Sequence, residues 1–506
     1  MADWLQSKLA RFNGLNDVEE KKDALTDIKI KLGSLNNREA EDISRNSGAA
    51  LLTLFSQLTS GDRALLEETC EVLKLLLGIL QPADVYDKYT AEVSQLVTHS
   101  EVSVRLLVLN ELLTIVSNPQ TLPVLLASTS LLVSIINRIG DDDLKVAEVA
   151  MAIMKELGKH KAGLQVLYTG ELLRSFARIL VQNDTISFRV YEVVVDVAKS
   201  SKEGLETSAK SGFLNSLINI LGNEDILLQL NALEVMTQLA TSEDGLKFLE
   251  DQQVLKTLGQ KIAEADENPL SHLLVPGLMK FFGNVARLWP SEIFAKYPAV
   301  VYALFEVIES GEQSILGVAL DTLGHVAATV EGKYALQALG DTMPSALKKL
   351  GEVIERMPTE LRIRGLNNLV FILDVKPEEQ DNRIMSLMQS WFSILSDDPL
   401  SMIISICRQP FADIRQAGLE VLAVVASQEW GQESLSNFPG LAEFLLDRNN
   451  EAFKECKEIK YEVVKKLSLA RHDIFDATTM QKFKEFVNQG PCYVDILTEV
   501  AIEGAV

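Results

Sequence analysis

A repeat of about 42 residues is the feature that most constrains how this 506-residue chain can fold. Glycines stand at positions 163, 204 and 245, in two steps of 41 residues, and another follows 87 residues later at position 332. A period held through many units indicates a repeat array, in which each unit packs only on its neighbours. The longest helix of each successive unit is predicted to begin near Val104, Val146, Phe188, Leu228, Leu274, Leu316, Ile363 and Ile414. The intervals between these positions are 42, 42, 40, 46, 42, 47 and 51 residues. The longer last intervals predict irregular units beyond Arg356.

Each unit is predicted to contain three helices. In the clearest unit a short helix follows Gly212, and the longer third helix follows the polar turn at Asn223–Asp225. Apolar residues in this third helix recur at three- and four-residue spacing, the pattern of a helix with one buried stripe. Asn and Asp directly before it favour a helix start, because their side-chain oxygens accept hydrogen bonds from the first free backbone N–H groups.

Three helices at this period are typical of armadillo and HEAT repeats. The predicted fold is therefore all-α, a right-handed superhelical solenoid of armadillo/HEAT-like repeats whose stacked units share one core between polar ends. We place an N-terminal helical cap at residues 1–45, the repeat array at 46–440 and a C-terminal helical cap at 441–506, all within one continuous solenoid.

The charge balance narrows the choice of partners. With 48 Lys+Arg against 71 Asp+Glu, the formal net charge is −23. Nucleic acid is therefore excluded as a main partner, because phosphate neutralisation needs a basic surface. A basic protein partner fits better.

Two further observations bear on membranes and location. The uncharged stretch between Glu111 and Arg138 is interrupted by Pro119 and Pro123. It predicts two short buried helices joined by a turn, since a membrane span needs about 20 continuous apolar residues. The first eight residues lack a signal-peptide layout. We expect no membrane partner and a cytosolic protein, with the nucleus as a second location.

The motifs of common enzymes are absent from the sequence. Thr329–Tyr334 resembles a phosphate-binding loop, but Ala327 stands where that loop needs Gly, and Tyr334 where it needs Ser or Thr. The histidines form no HExxH or H-x3-H pair, and the cysteines form no CxxC pair and are expected to be reduced thiols. Asp141–Asp143 lack the spaced oxygen ligands of a Ca²⁺ loop and are predicted to cap the next helix. We therefore expect a binding protein with no catalytic residue, cofactor or metal site.

The candidate partner-binding surface lies on the third helices, which line the concave face of armadillo-like stacks. Armadillo proteins carry a row of exposed Trp and Asn on these helices, at positions four residues apart that share one helix face. The Trp is absent from the matching positions here, which disfavours the extended-peptide grip of nuclear-import adaptors. Acids are frequent instead and would attract a basic domain, although a merely solvated helix face is the alternative. The selected residues are Asn110, Glu156, Glu192, Asp196, Glu234, Gln238, Lys280, Asn284, Asp321, His325, Asn367 and Glu420.

Several segments from the middle of the chain to its end carry a family resemblance: Val275–Ala286, Gly317–Gly324, Ser390–Ser393, Gln409–Phe411 and Gly490–Val494. They resemble the family of proteasome base-assembly chaperones built from armadillo/HEAT-like repeats. The repeat register and the overall length agree with this family in the N-terminal half, where the matching segments are shorter.

The resemblance implies a chaperone for assembly of the 19S regulatory particle base of the 26S proteasome. It implies transient binding to the C-terminal domain of an AAA ATPase, 26S proteasome regulatory subunit 7, in a module with regulatory subunit 4 and the large non-ATPase scaffold subunit. It also implies absence from the mature proteasome, and we expect a monomer when free. An armadillo-type transport adaptor or peptide-binding scaffold is the alternative.

Overall fold

Helices joined by short turns make up the computed structural model, which describes residues 1–46, 48–58, 62–80, 82–264 and 273–493, with backbone alone at 49 and 82–88. These ranges contain no strand, so the predicted all-α class is confirmed. The chain divides into two units, Met1–Phe248 and Leu249–Val506. The division into two caps and an array stays a prediction.

The helices follow one another closely along both halves of the chain. The first half contains α1 (Ala2–Asn13), α2 (Val18–Gly33), α3 (Asn37–Asn46), α4 (Gly48–Gln57), α5 (Arg63–Leu77), α6 (Pro82–Leu96), α7 (Val102–Val116), α8 (Leu122–Leu126), α9 (Thr129–Arg138), α10 (Leu144–Lys159), α11 (Lys161–Leu167), α12 (Gly170–Leu180), α13 (Asp184–Ser200), α14 (Lys202–Lys210), α15 (Phe213–Asn219) and α16 (Ile226–Leu239). Then come α17 (Glu243–Asp251), α18 (Val254–Ala263), α19 (Val275–Leu288), α20 (Pro290–Lys296), α21 (Pro298–Ser310), α22 (Gln313–Val326), α23 (Val330–Gln337), α24 (Thr342–Arg356), α25 (Thr359–Leu373), α26 (Asn382–Ile394), α27 (Pro399–Ile406), α28 (Ala412–Ala426), α29 (Glu429–Ser436), α30 (Leu441–Leu446), α31 (Lys454–Leu467) and α32 (Ala477–Gln489).

Within each unit, the third helix of one repeat packs side by side with the third helix of the next. This row comprises α2, α5, α7, α10, α13 and α16 in the first unit, and α19, α22, α25, α28 and α31 in the second. Of the eight positions predicted to start third helices, seven lie inside these helices and Leu274 directly precedes α19. The described chain is thus an α-helical solenoid of repeats, as the period predicts.

The repeated glycine marks a close approach between one repeat and the next. Gly204 lies in the first turn of α14, where a side-chain carbon would overlap the carbonyl oxygen of Val197 near the end of α13. Because glycine has no Cβ, the chain turns tightly onto the end of the preceding helix. The same overlap with a carbonyl oxygen would arise at Gly163, Gly245, Gly332 and Gly431.

Asn or Asp side chains cap five third helices of the first unit, as predicted: α2, α5, α10, α13 and α16. Within the described ranges, the third helices of the second unit begin after other residues and have no side-chain cap. The carboxylate of Asp143 accepts a hydrogen bond from the backbone N–H of Val146 at 3.1 Å, and Asn183 accepts one from Ile186 at 2.9 Å. The predicted capping role of Asp141–Asp143 is therefore confirmed at Asp143. These caps satisfy donors that the first helical turn leaves without an intrahelical partner.

Buried ion pairs tie two third helices to the turn of the following repeat. Arg105 on α7 donates to Asp141 at 3.0 Å, and Arg415 on α28 donates to both oxygens of Glu451 at 2.8 Å. In both pairs the acid follows the arginine by 36 residues. Each arginine also donates to the carbonyl oxygen six residues before it. The two pairs are therefore equivalent devices in different repeats.

The uncharged stretch between Glu111 and Arg138 forms the end of α7 and the short helices α8 and α9. Throughout the described ranges, no helix is both long enough and apolar enough to cross a membrane.

Candidate partner-binding surface

All twelve predicted partner-binding residues lie on third helices, from α7 to α28. Those on exposed positions are Asn110, Glu192, Glu234, Gln238, Lys280 and Asn367, and those partly buried are Glu156, Asp196, Asn284, Asp321, His325 and Glu420. The face chosen from helical spacing is thus a solvent-accessible face. Its role in binding a partner stays a prediction.

In the first unit, four of these residues meet in one cleft across α10, α13 and α16. Glu192, Asp196, Glu234 and Gln238 line it together with Lys155 and Lys199. We call this group the acid–lysine cleft. It brings exposed carboxylates of α13 and α16 together with a partly buried ion-pair cluster.

Asp196 is the centre of that cluster. Its carboxylate lies 2.5 Å from the Nζ of Lys155 on α10 and 2.7 Å from the Nζ of Lys199 on its own helix. Burial alone would raise the pKa of Asp196, but the hydrogen bonds from the two lysines hold the pKa below its ordinary value. Asp196 is therefore ionised at neutral pH and compensated inside the protein.

In the second unit, Asp321 on α22 forms a similar bridge to α25. Its carboxylate accepts hydrogen bonds from Arg364 at 2.8 Å and from the buried amide of Asn368 at 2.7 Å. One turn further, the ring of His325 contacts the ring of Phe371, with centroids 6.2 Å apart. Burial lowers the pKa of His325 despite the nearby carboxylate of Asp321, so a neutral imidazole faces an exposed aromatic ring at neutral pH.

Four of the remaining predicted residues contact partners on their own helices. Asn110 and Asn284 each donate to the carbonyl four residues earlier, at 2.7 and 3.0 Å. Glu156 lies 2.6 Å from Lys159, and Glu420 accepts a hydrogen bond from Gln416 at 3.1 Å. Lys280 and Asn367 are exposed on α19 and α25. The structure does not join these six residues into the acid–lysine cleft.

Basic partners of Asp196 and Asp321 lie on neighbouring helices, outside the set of third-helix positions that helical spacing selects. Lys155 precedes Asp196 by 41 residues, and Arg364 follows Asp321 by 43. Both separations are close to one repeat, so a search for opposite charges one period apart would have found them. The row that reads as acidic in sequence is partly neutralised by cations from neighbouring helices.

The Gly332–Lys333 pair, which resembles part of a phosphate-binding loop, has a structural role in this fold. The Lys333 side chain is completely buried, and its ammonium donates to the carbonyl oxygens of Ala327 and Phe371. Burial lowers the pKa of Lys333 to about 8. With Gly332 at a repeat junction and Lys333 bridging helix ends, both residues serve packing.

Metal-ligating geometry is also missing from the described part of the chain, where no three His, Cys, Asp or Glu side chains are grouped to hold an ion. All four cysteines are free thiols, and Cys70, Cys407 and Cys456 are buried. Burial raises the pKa of the Cys70 thiol to about 11.

The fold and the polar face of its third helices define an armadillo/HEAT-like repeat protein. The family model described as "Proteasome non-ATPase 26S subunit" matches residues 1–506, and the chain belongs to this family. The chain is 33% identical over 455 residues to 26S proteasome non-ATPase regulatory subunit 5 of Homo sapiens, covering 89% of this chain and 90% of that protein. It is 30% identical over 341 residues to the Drosophila melanogaster protein of the same name, covering 67% and 66%.

A solved structure of importin beta shares the fold. It superposes with a TM-score of 0.52 at 10% sequence identity, covering 96% of this chain and 77% of importin beta. At this identity the likeness concerns the fold alone.

Proposed function

We propose that this protein is a chaperone for assembly of the 19S regulatory particle base. It binds the C-terminal domain of an AAA ATPase, 26S proteasome regulatory subunit 7, within a module that contains regulatory subunit 4 and the large non-ATPase scaffold subunit. It leaves before the proteasome is mature. Membership of the proteasome non-ATPase 26S subunit family supports the proteasome connection.

The acid–lysine cleft is the observation that carries the binding part of this proposal. Glu192 and Glu234 are exposed on neighbouring helices, and the carboxylate of Asp196 in the same cleft is paired with two lysines. A basic partner surface would meet the two exposed carboxylates, and the fixed lysines would repel groups placed out of register. Such alternation of charge favours one docking arrangement over others.

The test is capture of the ATPase from cell extract by the tagged full chain, with Glu192→Lys and Glu234→Lys combined in one variant. Asp196 is left intact because a lysine there would face Lys155 and Lys199 and would threaten the fold. We expect wild type to retain 26S proteasome regulatory subunit 7 and the double variant to lose most of it.

A matched control combines Glu203→Lys and Glu206→Lys, which reverse two exposed acids on α14, outside the cleft. This variant changes the net charge equally and should capture the ATPase as wild type does. Equal capture by all three proteins, each with wild-type helicity, would refute a role for the cleft. Failure of wild type to retain any base ATPase would refute the proposed function itself.

The proposal assigns a binding role without catalysis or a cofactor, exercised by a monomer in the cytosol, with the nucleus as a second location. The alternative, an armadillo-type adaptor for extended peptides, predicts binding of isolated basic peptides. We expect the purified protein to bind the folded ATPase domain and to leave a short oligolysine peptide unbound.

A further inference from the structure

A second cleft lies in the other unit, between α31, α32 and the turn after α30. It is lined by side chains that include Arg448, Lys457, Lys460 and Lys482, so it concentrates four cations in a chain of net charge −23. We call it the basic cleft. It shares no residue with the surface proposed to bind the ATPase.

Arg448 and Lys460 stabilise the walls of the cleft. Arg448 donates to the carbonyl oxygens of Phe486 at 3.1 Å and Gly490 at 2.8 Å, and its guanidinium stacks on the Phe486 ring at 3.8 Å. Lys460 is buried and donates to the carbonyl of Asp447 and the side chain of Asn450. Both side chains are therefore occupied in holding the end of α32 and the turn in place.

The carboxylates that line the cleft are engaged as well. Glu451 accepts from Arg415 at 2.8 Å, Glu485 from Gln481 at 2.9 Å, and Asp447 from the backbone N–H of Asn449 at 2.9 Å. None of them pairs with the two lysines on the rim.

Lys457 on α31 and Lys482 on α32 form that rim, and neither has an ion-pair partner in the described part of the chain. Other lysines of α31 are paired: Lys454 lies 3.7 Å from Glu458, and Lys465 lies 3.0 Å from Glu462. In a protein with so many acids, two unpaired lysines facing one cleft are best compensated by a ligand's negative charge.

We propose that the basic cleft binds an acidic peptide segment of a partner protein, with carboxylates on Lys457 and Lys482 and apolar side chains beside the ring of Tyr493. The Tyr493 side chain lines the cleft and is 40% exposed, whereas the Phe486 ring is buried beneath Arg448. Single carboxylates spaced along a peptide fit better than a phosphate, whose denser charge would face Glu451 and Glu485. This surface goes beyond the proposed ATPase contact and gives the protein a site for a segment of opposite charge.

The experiment measures binding of a short fluorescein-labelled peptide, glutamates interspersed with phenylalanines, to the purified full chain by fluorescence anisotropy. A second peptide with glutamine in place of every glutamate reports the contribution of charge. We expect the glutamate peptide to bind, and combined Lys457→Glu and Lys482→Glu substitutions to raise its Kd about tenfold or more. Replacement of both lysines by Gln should give an intermediate Kd.

The matched control combines Lys454→Glu and Lys465→Glu, which make the same charge change on α31 outside the cleft. It should raise the Kd far less than the rim variant. The proposal is overturned if wild type does not bind the glutamate peptide, if it binds the glutamine peptide equally well, or if both reversals weaken binding alike. Circular dichroism of each variant ensures that only folded proteins are compared.

Discussion

Burial of Lys333 makes the free energy of unfolding vary with pH in the alkaline range. Its pKa is lowered to about 8 in the folded protein from 10.5, so between these values the unfolded chain binds more protons than the folded one. Stability therefore rises with pH across this window. We expect this contribution to grow by about 2 kcal/mol from pH 8 to pH 10.

The measurement is guanidinium unfolding of wild type and Lys333→Met at both pH values. The variant should lack this gain, while Lys348→Met, at an exposed position on α24, should keep it. Parallel pH dependence of wild type and Lys333→Met would show that the buried ammonium does not titrate in this range.

The close backbone contacts of the repeat glycines predict that adding a single methyl group there lowers stability. Gly204→Ala would place a methyl group against the carbonyl oxygen of Val197, and a backbone atom moves less readily than a side chain. We expect a loss of about 1–3 kcal/mol in the free energy of unfolding. Gly222→Ala is the control, because no atom lies within 4 Å of its added carbon. Urea unfolding that finds the two variants equally stable would contradict the close approach.

Between helices, the buried arginine pairs predict a third effect. Glu451→Ala would leave the guanidinium of Arg415 buried without its acid, and we expect a loss of about 3–5 kcal/mol. Combining Arg415→Met with Glu451→Leu removes both charges and should recover most of the stability. Thermal unfolding of the single and double variants measures this, and a double variant no more stable than Glu451→Ala would rule out an uncompensated charge as the cause.

Helix positions and helix contacts differ in how far the sequence predicts them. The period locates third helices from α7 to α28 because burial of one stripe recurs with every stacked repeat. Pairs such as Arg105 with Asp141 join residues that only the folded turn brings together, and hydrophobic periodicity carries no information about them. The candidate surface shows the same division, since hydrophobic spacing finds the exposed side of α13, whereas the lysines that neutralise Asp196 are found only by comparing charges between neighbouring turns and repeats.

Across the whole chain, the charged residues behind the net charge of −23 are unevenly distributed. In the first unit, exposed acids surround a compensated carboxylate in the acid–lysine cleft. In the second, Lys457 and Lys482, which have no ion-pair partner among the described residues, face the basic cleft. Long-range attraction follows the total charge, whereas docking follows these local arrangements.

This distinction yields a kinetic prediction for binding to the purified C-terminal domain of 26S proteasome regulatory subunit 7, the proposed partner. Stopped-flow association of wild type should slow about tenfold or more between about 0.05 and 0.5 M salt, because screening shortens the reach of surface charge. The variant with Glu192→Lys and Glu234→Lys should associate slowly at low salt and show a shallower dependence. The variant with Glu203→Lys and Glu206→Lys carries the same net charge and should stay close to wild type. If both variants instead follow one common salt dependence, total charge alone governs the encounter and the cleft does not direct it.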